Sequence, residues 1–270
     1  MRITDRHIAS LKQDGFVVIE NFLSSAEAAA ALAGFHDYFP KTGQSGSWRT
    51  FPTEHTALNH VFMHPDVIDA AERIHEDADL LMADGMFGVR YAGENPDSIG
   101  GAHWHLDYAN NTLGPEIHDR AEMAKFPTFG IYLNDVGPGD APIRMMRHGQ
   151  THADGIDITG PAGTLWIYTL FTHHTATPFM NPTGYRAVAS TILTPRKRIH
   201  DVARLITQKS GTSAASLAKI LSEATPRQLE LFGFPKARDP FWTPEYVAGM
   251  EKRYPGFRGD RVVCEALIPA

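Results

Sequence analysis

His105-Leu106-Asp107, followed far downstream by His174 and then Arg186, are the residues of this chain best suited to chemistry. In an extended segment the side chains at i and i+2 leave the same face, so His105 and Asp107 could reach one metal ion while Leu106 packs behind them. A second imidazole from a distant strand, with His174 as the candidate, would complete a set of two histidines and one carboxylate. Such a set covers one face of an octahedral ion and leaves the other face open.

The donor types narrow the choice of ion. Structural zinc normally takes four protein ligands rich in thiolate, and the chain has one cysteine, Cys264. Calcium and magnesium prefer oxygen-rich shells. Fe(II) suits two imidazoles, a carboxylate and open positions. Arg186 stands twelve positions after His174. Its planar fork grips a carboxylate through two parallel hydrogen bonds, which would hold the distal end of 2-oxoglutarate. A zinc hydrolase has no need of a guanidinium there.

With 14 histidines in the chain, a His-x-Asp pair alone has little specificity; the run that follows supplies it. Thr172-His173-His174-Thr175-Ala176-Thr177, ending at Gly184-Tyr185-Arg186, resembles the distal His/Arg motif of the phytanoyl-CoA dioxygenase-like family of Fe(II)/2-oxoglutarate oxygenases. Thr4-Asp5 and the run Asp14-Gly15-Phe16-Val17-Val18-Ile19-Glu20-Asn21-Phe22-Leu23-Ser24 resemble the amino-terminal part of that family. The resemblance covers residues 4 to about 198. It favours His174 over its neighbour His173 as the third ligand, since neighbours on a strand face opposite ways. It also implies a hydroxyl near the cosubstrate carboxylate, for which Thr177 is the candidate and Thr128 a second. Arg90, Trp104 and Tyr108 flank the first ligand segment and are candidate substrate contacts.

Several elements must position these residues. A first helix from Thr4 to Gln13 is stopped by Asp14-Gly15, and Phe16 to Ile19 reads as a buried strand. Ser24 and Glu27 have capping-box spacing ahead of an Ala-rich helix reaching Tyr38. Residues 40 to 60, rich in Gly, Pro, Ser and His with Trp48 and Phe51 among them, read as a mobile lid over the site. A short helix is expected over Asp66 to Glu76. From Leu80 to Thr194 short apolar runs broken by Gly, Pro, Asn and Asp predict strands, at Met86 to Tyr91, Ala102 to Tyr108, Thr128 to Leu133, Gly163 to Leu170 and Tyr185 to Leu193. Residues 199 to 255 read as helices with proline breaks.

This pattern predicts a mainly β fold with flanking helices, a double-stranded β-helix of jelly-roll, cupin-like type. One oxygenase domain is expected over 1–270, with helices and lid at 1–79, the jelly-roll core at 80–198 and a helical extension at 199–270. A net charge of −6 and a pI near 6.1 supply no basic footprint for nucleic acid or an anionic membrane. One cysteine and no apolar run of about 20 residues fit a cytoplasmic protein without a membrane span; an oligomer is compatible.

The expected activity is oxidation of a small-molecule substrate, most simply hydroxylation, with 2-oxoglutarate and O2 converted to succinate and CO2. Desaturation, cyclisation or epimerisation by the same cofactors is the alternative. A halogenase is disfavoured because Asp107 keeps the carboxylate ligand. A noncatalytic cupin-like binding module and a zinc hydrolase are the alternatives from other classes.

Overall fold

The computed structural model describes residues 2–39, 43, 45–48, 52–93, 103–107, 119–196, 218, 221–231 and 234–263. The chain divides into two compact units, residues 1–107 with 119–196, and residues 108–118 with 197–270.

The first unit opens with α1 (Asp5–Asp14), capped by Thr4 and ended by Gly15 at φ 87°, a left-handed turn that glycine adopts without strain. β1 (Phe16–Ile19) follows. In α2 (Ser25–Tyr38) the capping box forms, Ser24 accepting from the Glu27 N–H and Glu27 reaching back. Next come β2 (Gly46–Trp48), α3 (Thr56–Phe62), α4 (Pro65–His75) and the long β3 (Leu80–Tyr91). Beyond the first ligand segment lie α5 (Arg120–Ala124), β4 (Pro127–Tyr132), β5 (Ile143–Met145), β6 (Ile156–Ile158), β7 (Leu165–Thr169), β8 (His174–Ala176) and β9 (Tyr185–Pro195).

These strands make two antiparallel sheets, one of order β1-β7-β4-β9-β3-β2 and one of order β6-β5-β8. The period of two sorts their side chains. Leu165 and Ile167 of β7, Phe129 and Ile131 of β4, and Ala187 and Ala189 of β9 join Leu11, Phe35, Leu58 and Ile74 of the helices in one core. The alternate residues Trp166, Tyr168, Tyr132 and Val188 turn the other way and join Met145 and Ile158 of the small sheet. The space between the sheets is therefore walled by the inner faces of both, as in a jelly roll.

Two expectations change. Within 103–107 there is no regular strand; His105 makes an isolated bridge to His174. A local bond competes with the ladder, because His105 Nδ1 takes the His103 carbonyl at 2.8 Å. The lid region also differs. Residues 40–42, 44 and 49–51 lie outside the described residues, but Gly46–Trp48 pairs with β3, and α3 buries Leu58, Val61 and Phe62. Their i, i+3, i+4 spacing is an apolar stripe, and Phe62 meets Phe87 with ring centres 4.7 Å apart. From Thr56 onward this segment contributes Leu58, Val61 and Phe62 to the core, a stripe masked in the sequence by the histidines and threonines around it.

In the second unit α6 (Pro226–Leu231) and α7 (Pro244–Arg253) surround their own apolar cluster, which includes Leu229, Phe234, Trp242, Met250 and Phe257. Among the described residues no helix is long and apolar enough to cross a membrane.

Candidate metal centre

β8 presents His174 to the space between the sheets, 6% exposed. Its Nδ1 lies 3.0 Å from the Thr172 carbonyl. A carbonyl can only accept, so Nδ1 carries the proton and the Nε2 lone pair is free for a metal. His105 is set the same way by the His103 carbonyl, and two backbone hydrogen bonds of 3.0 and 3.1 Å clamp His105 to His174. The two rings lie 4.3 Å apart at 55°.

Asp107 completes the cluster. Its Oδ1 is 3.9 Å from His105 Nε2 and its Oδ2 is 3.6 Å from His174 Nε2. Both separations exceed a direct hydrogen bond. One ligand atom from each of the three residues lies within 4.8 Å of the others, and this is the one such group among the described residues. Burial, outweighing the nearby Asp107 charge, lowers the His174 pKa and keeps the ring neutral. A neutral, oriented nitrogen is the form a cation takes. Tyr168 on β7 donates to Asp107 Oδ2 at 2.5 Å.

His173 goes elsewhere. Its Nδ1 sits 3.4 Å from His152 Nε2, and His152 in turn stacks on Trp104 at 4.7 Å and 4°.

A cavity of about 330 Å³ joins the triad to Arg186, Arg90, Tyr132, Trp166 and Tyr168. One guanidinium nitrogen of Arg186, Nη1, donates to the Ala141 carbonyl, while Nε is buried without a partner among the described residues. Desolvation lowers the Arg186 pKa, partly offset by Tyr132, yet a guanidinium stays charged. Among the described residues no carboxylate pairs with it. Across the β3–β9 ladder Arg186 stands directly opposite Arg90. Like charges at facing positions repel, so the pair is suited to an anion. Beside them the Tyr132 phenol, pushed up to about 12 chiefly by burial, stays protonated and donates to the Ile158 carbonyl at 2.8 Å.

This is the fold of known non-heme 2-oxoglutarate-dependent enzymes. No protein-family profile and no curated sequence matches the chain. Among similar solved structures is the non-heme alpha ketoglutarate dependent carbocyclase SnoK from nogalamycin biosynthesis, 16% identical, with a TM-score of 0.57 over 73% of this chain and 86% of that one. HygX from Streptomyces hygroscopicus, with nickel and 2-oxoglutarate bound, is 12% identical with a TM-score of 0.55, over 72% of this chain and 88% of that one. EctD from S. alaskensis with bound Fe is 14% identical with a TM-score of 0.56, over 73% and 79%.

The remaining sequence candidates are distributed differently. Thr177 turns its hydroxyl to the Pro142 carbonyl at 2.5 Å and is not part of the cavity wall. Thr128 is buried opposite Tyr168 on the neighbouring strand and also stays out of the wall. Trp104 packs on His152 and over Gly155 rather than lining the cavity. Tyr108 lies outside the described residues. Trp166 and Tyr168, which line the cavity, were missed by sequence reasoning. The signal was the alternation Leu165-Trp166-Ile167-Tyr168, which puts the two polar-tipped aromatics on one face.

Proposed function

We propose that this chain is an Fe(II)- and 2-oxoglutarate-dependent oxygenase of the phytanoyl-CoA dioxygenase-like type, acting on a small molecule in the cytoplasm. The observation that carries the reading is the convergence of a two-histidine, one-carboxylate cluster and an arginine with an unpartnered Nε on one cavity. His105, Asp107 and His174 would hold the iron. Arg186 would hold the distal carboxylate of 2-oxoglutarate, and Arg90, read from sequence as a substrate contact, faces the same anion from the next strand. Iron with 2-oxoglutarate and O2 supplies the oxidising power for a C–H bond, with succinate and CO2 as coproducts. The chain's own part is to orient the three ligands, leave the other face of the ion open, anchor the cosubstrate and wall the cavity with apolar side chains.

Hydroxylation is the simplest outcome. Two proteins of similar structure, the carbocyclase SnoK and the non-heme alpha ketoglutarate dependent epimerase SnoN from nogalamycin biosynthesis, favour ring formation or epimerisation as the second reading. An acidic net charge disfavours nucleic acid and anionic membranes as partners. A noncatalytic module or a zinc hydrolase would have no need of the buried, unpartnered Arg186 Nε beside the cavity.

Metal content, 2-oxoglutarate affinity and succinate formation, measured on correctly folded protein, test the reading. Arg186→Ala should retain iron but bind 2-oxoglutarate more weakly, by on the order of a hundredfold or more, because stripping one partner from a buried charge pair costs about 3–5 kcal/mol. Asp107→Ala should lose iron and succinate formation together. Normal cosubstrate affinity in Arg186→Ala, or full turnover in Asp107→Ala, would sink the proposal.

A further inference from the structure

Trp166 carries a polar group that the proposed function leaves unused. The residue is 5% exposed, lines the cavity, and has its indole Nε1 buried with no hydrogen-bond partner among the described residues. A buried N–H without an acceptor is strongly disfavoured, and native chains keep one where a ligand or water completes it.

The surroundings hold the ring in place. Gly130 stands directly opposite Trp166 on β4, and a Cβ there would come within 1.9 Å of the indole Cη2 and 2.1 Å of Cζ2. The indole thus lies across bare backbone, in a slot that any side chain at 130 would fill. Tyr132 and Tyr168 flank it, with ring centres 6.2 and 5.7 Å away.

The register says which part of a ligand it would meet. On the inner face the successive rungs are Tyr168, then Trp166–Gly130–Ser190, then Tyr132–Val188, then Arg186–Arg90. Each rung advances about 7 Å along the strands. Tyr168 bonds Asp107 and packs on His174 with ring centres 4.8 Å apart, so it marks the metal end. Trp166 is one rung from that end and two from the arginines.

We infer that Trp166 is a further binding residue, its indole N–H donating to an oxygen at the keto-acid end of 2-oxoglutarate; this rests on the proposed function. Arg186 and Trp166 would then grip opposite ends of one extended dianion.

The test uses the full chain loaded anaerobically with Zn(II), a diamagnetic stand-in, and 2-oxoglutarate as the probe. Calorimetry should find 2-oxoglutarate bound about ten- to a hundredfold more weakly by Trp166→Phe, the effect of losing a hydrogen bond to a charged acceptor. Zinc affinity should be unchanged. In the wild type the Trp166 indole proton resonance, assigned by its absence from the variant, should move downfield on adding 2-oxoglutarate. Should Trp166→Phe fold poorly, benzothienylalanine at 166 keeps the bicycle and removes only the donor. Wild-type affinity in these variants would mean that the N–H serves a buried water, and would overturn the assignment while leaving the proposed function intact. Failure of the loaded wild type to take up 2-oxoglutarate would overturn both.

Discussion

The Tyr168 phenol donates to Asp107 Oδ2 across 2.5 Å, joining residues 61 positions apart. Asp107 belongs to the described stretch 103–107, which has no regular strand structure, whereas Tyr168 belongs to an interior strand of the six-stranded sheet. The carboxylate of the candidate triad is therefore fixed from the sheet as well as through its own segment. Burial, and next the Asp107 charge, push the phenol well above its ordinary pKa, so it remains a donor at neutral pH.

Tyr168→Phe should accordingly weaken metal binding by roughly ten- to a hundredfold, the usual effect of losing a partner that orients a ligand. Competition against a chelator of known affinity measures this. Unaltered metal affinity would mean that Asp107 needs no support from the sheet.

Arg90 faces Arg186 across the ladder and lines the same cavity, so Arg90→Gln, compared with wild type in folding stability and in 2-oxoglutarate affinity, tests its part in holding the anion. The same variant should bind 2-oxoglutarate more weakly. Denaturant titration and calorimetry read the two quantities separately; a loss of stability with unchanged binding would make Arg90 a structural residue.

Much of the candidate site could be read from local sequence, because its residues sit in short motifs. The His-x-Asp pair, the twelve-residue step to Arg186 and the Ser24–Glu27 cap are of this kind. Features that depend on distant pairing could not be read so. Nothing near Tyr168 announces Asp107, and nothing near Arg90 announces Arg186, until β3 and β9 are aligned. Thr177 shows how a local pattern leaves a side chain's partner open: its position suits a cosubstrate contact, and in the fold its hydroxyl donates to the Pro142 carbonyl. The helix at Thr56–Phe62 was hidden because polar residues interrupt a stripe that only a 3.6-residue period exposes.

His148 predicts a pH effect on stability. Neither ring nitrogen has a partner among the described residues, and burial, reinforced by Arg120 and His173 and opposed by Asp14, lowers its pKa from 6.5. The folded state thus resists protonation while the unfolded chain accepts it near 6.5. The unfolded state binds more protons in that window, so stability is full above it and is lost as the pH falls through it toward the folded value. His7, His64, His173 and His174 shift the same way, so the comparison must be with His148→Gln. Between about pH 7 and pH 5 the urea midpoint of wild type should fall more steeply than that of the variant. Parallel curves would show that His148 titrates alike in both states.

Gly130→Ala tests the slot that holds Trp166. The added methyl would lie 1.9 to 2.2 Å from three carbons of the indole, well inside contact distance. The ring has little room to retreat, with Tyr132 and Tyr168 on its flanks. Overpacking of this kind typically costs about 1–3 kcal/mol, which for a chain of this size lowers the melting temperature by about 2–4 °C per kcal/mol. Because the clash is with one side chain, Trp166→Leu in the Gly130→Ala background should recover much of the loss. The double variant should be more stable than the sum of the single effects by about 0.5–3 kcal/mol, the range for residues in contact. Strict additivity would mean that Gly130 is needed for the path of β4 itself rather than for the indole lying across it.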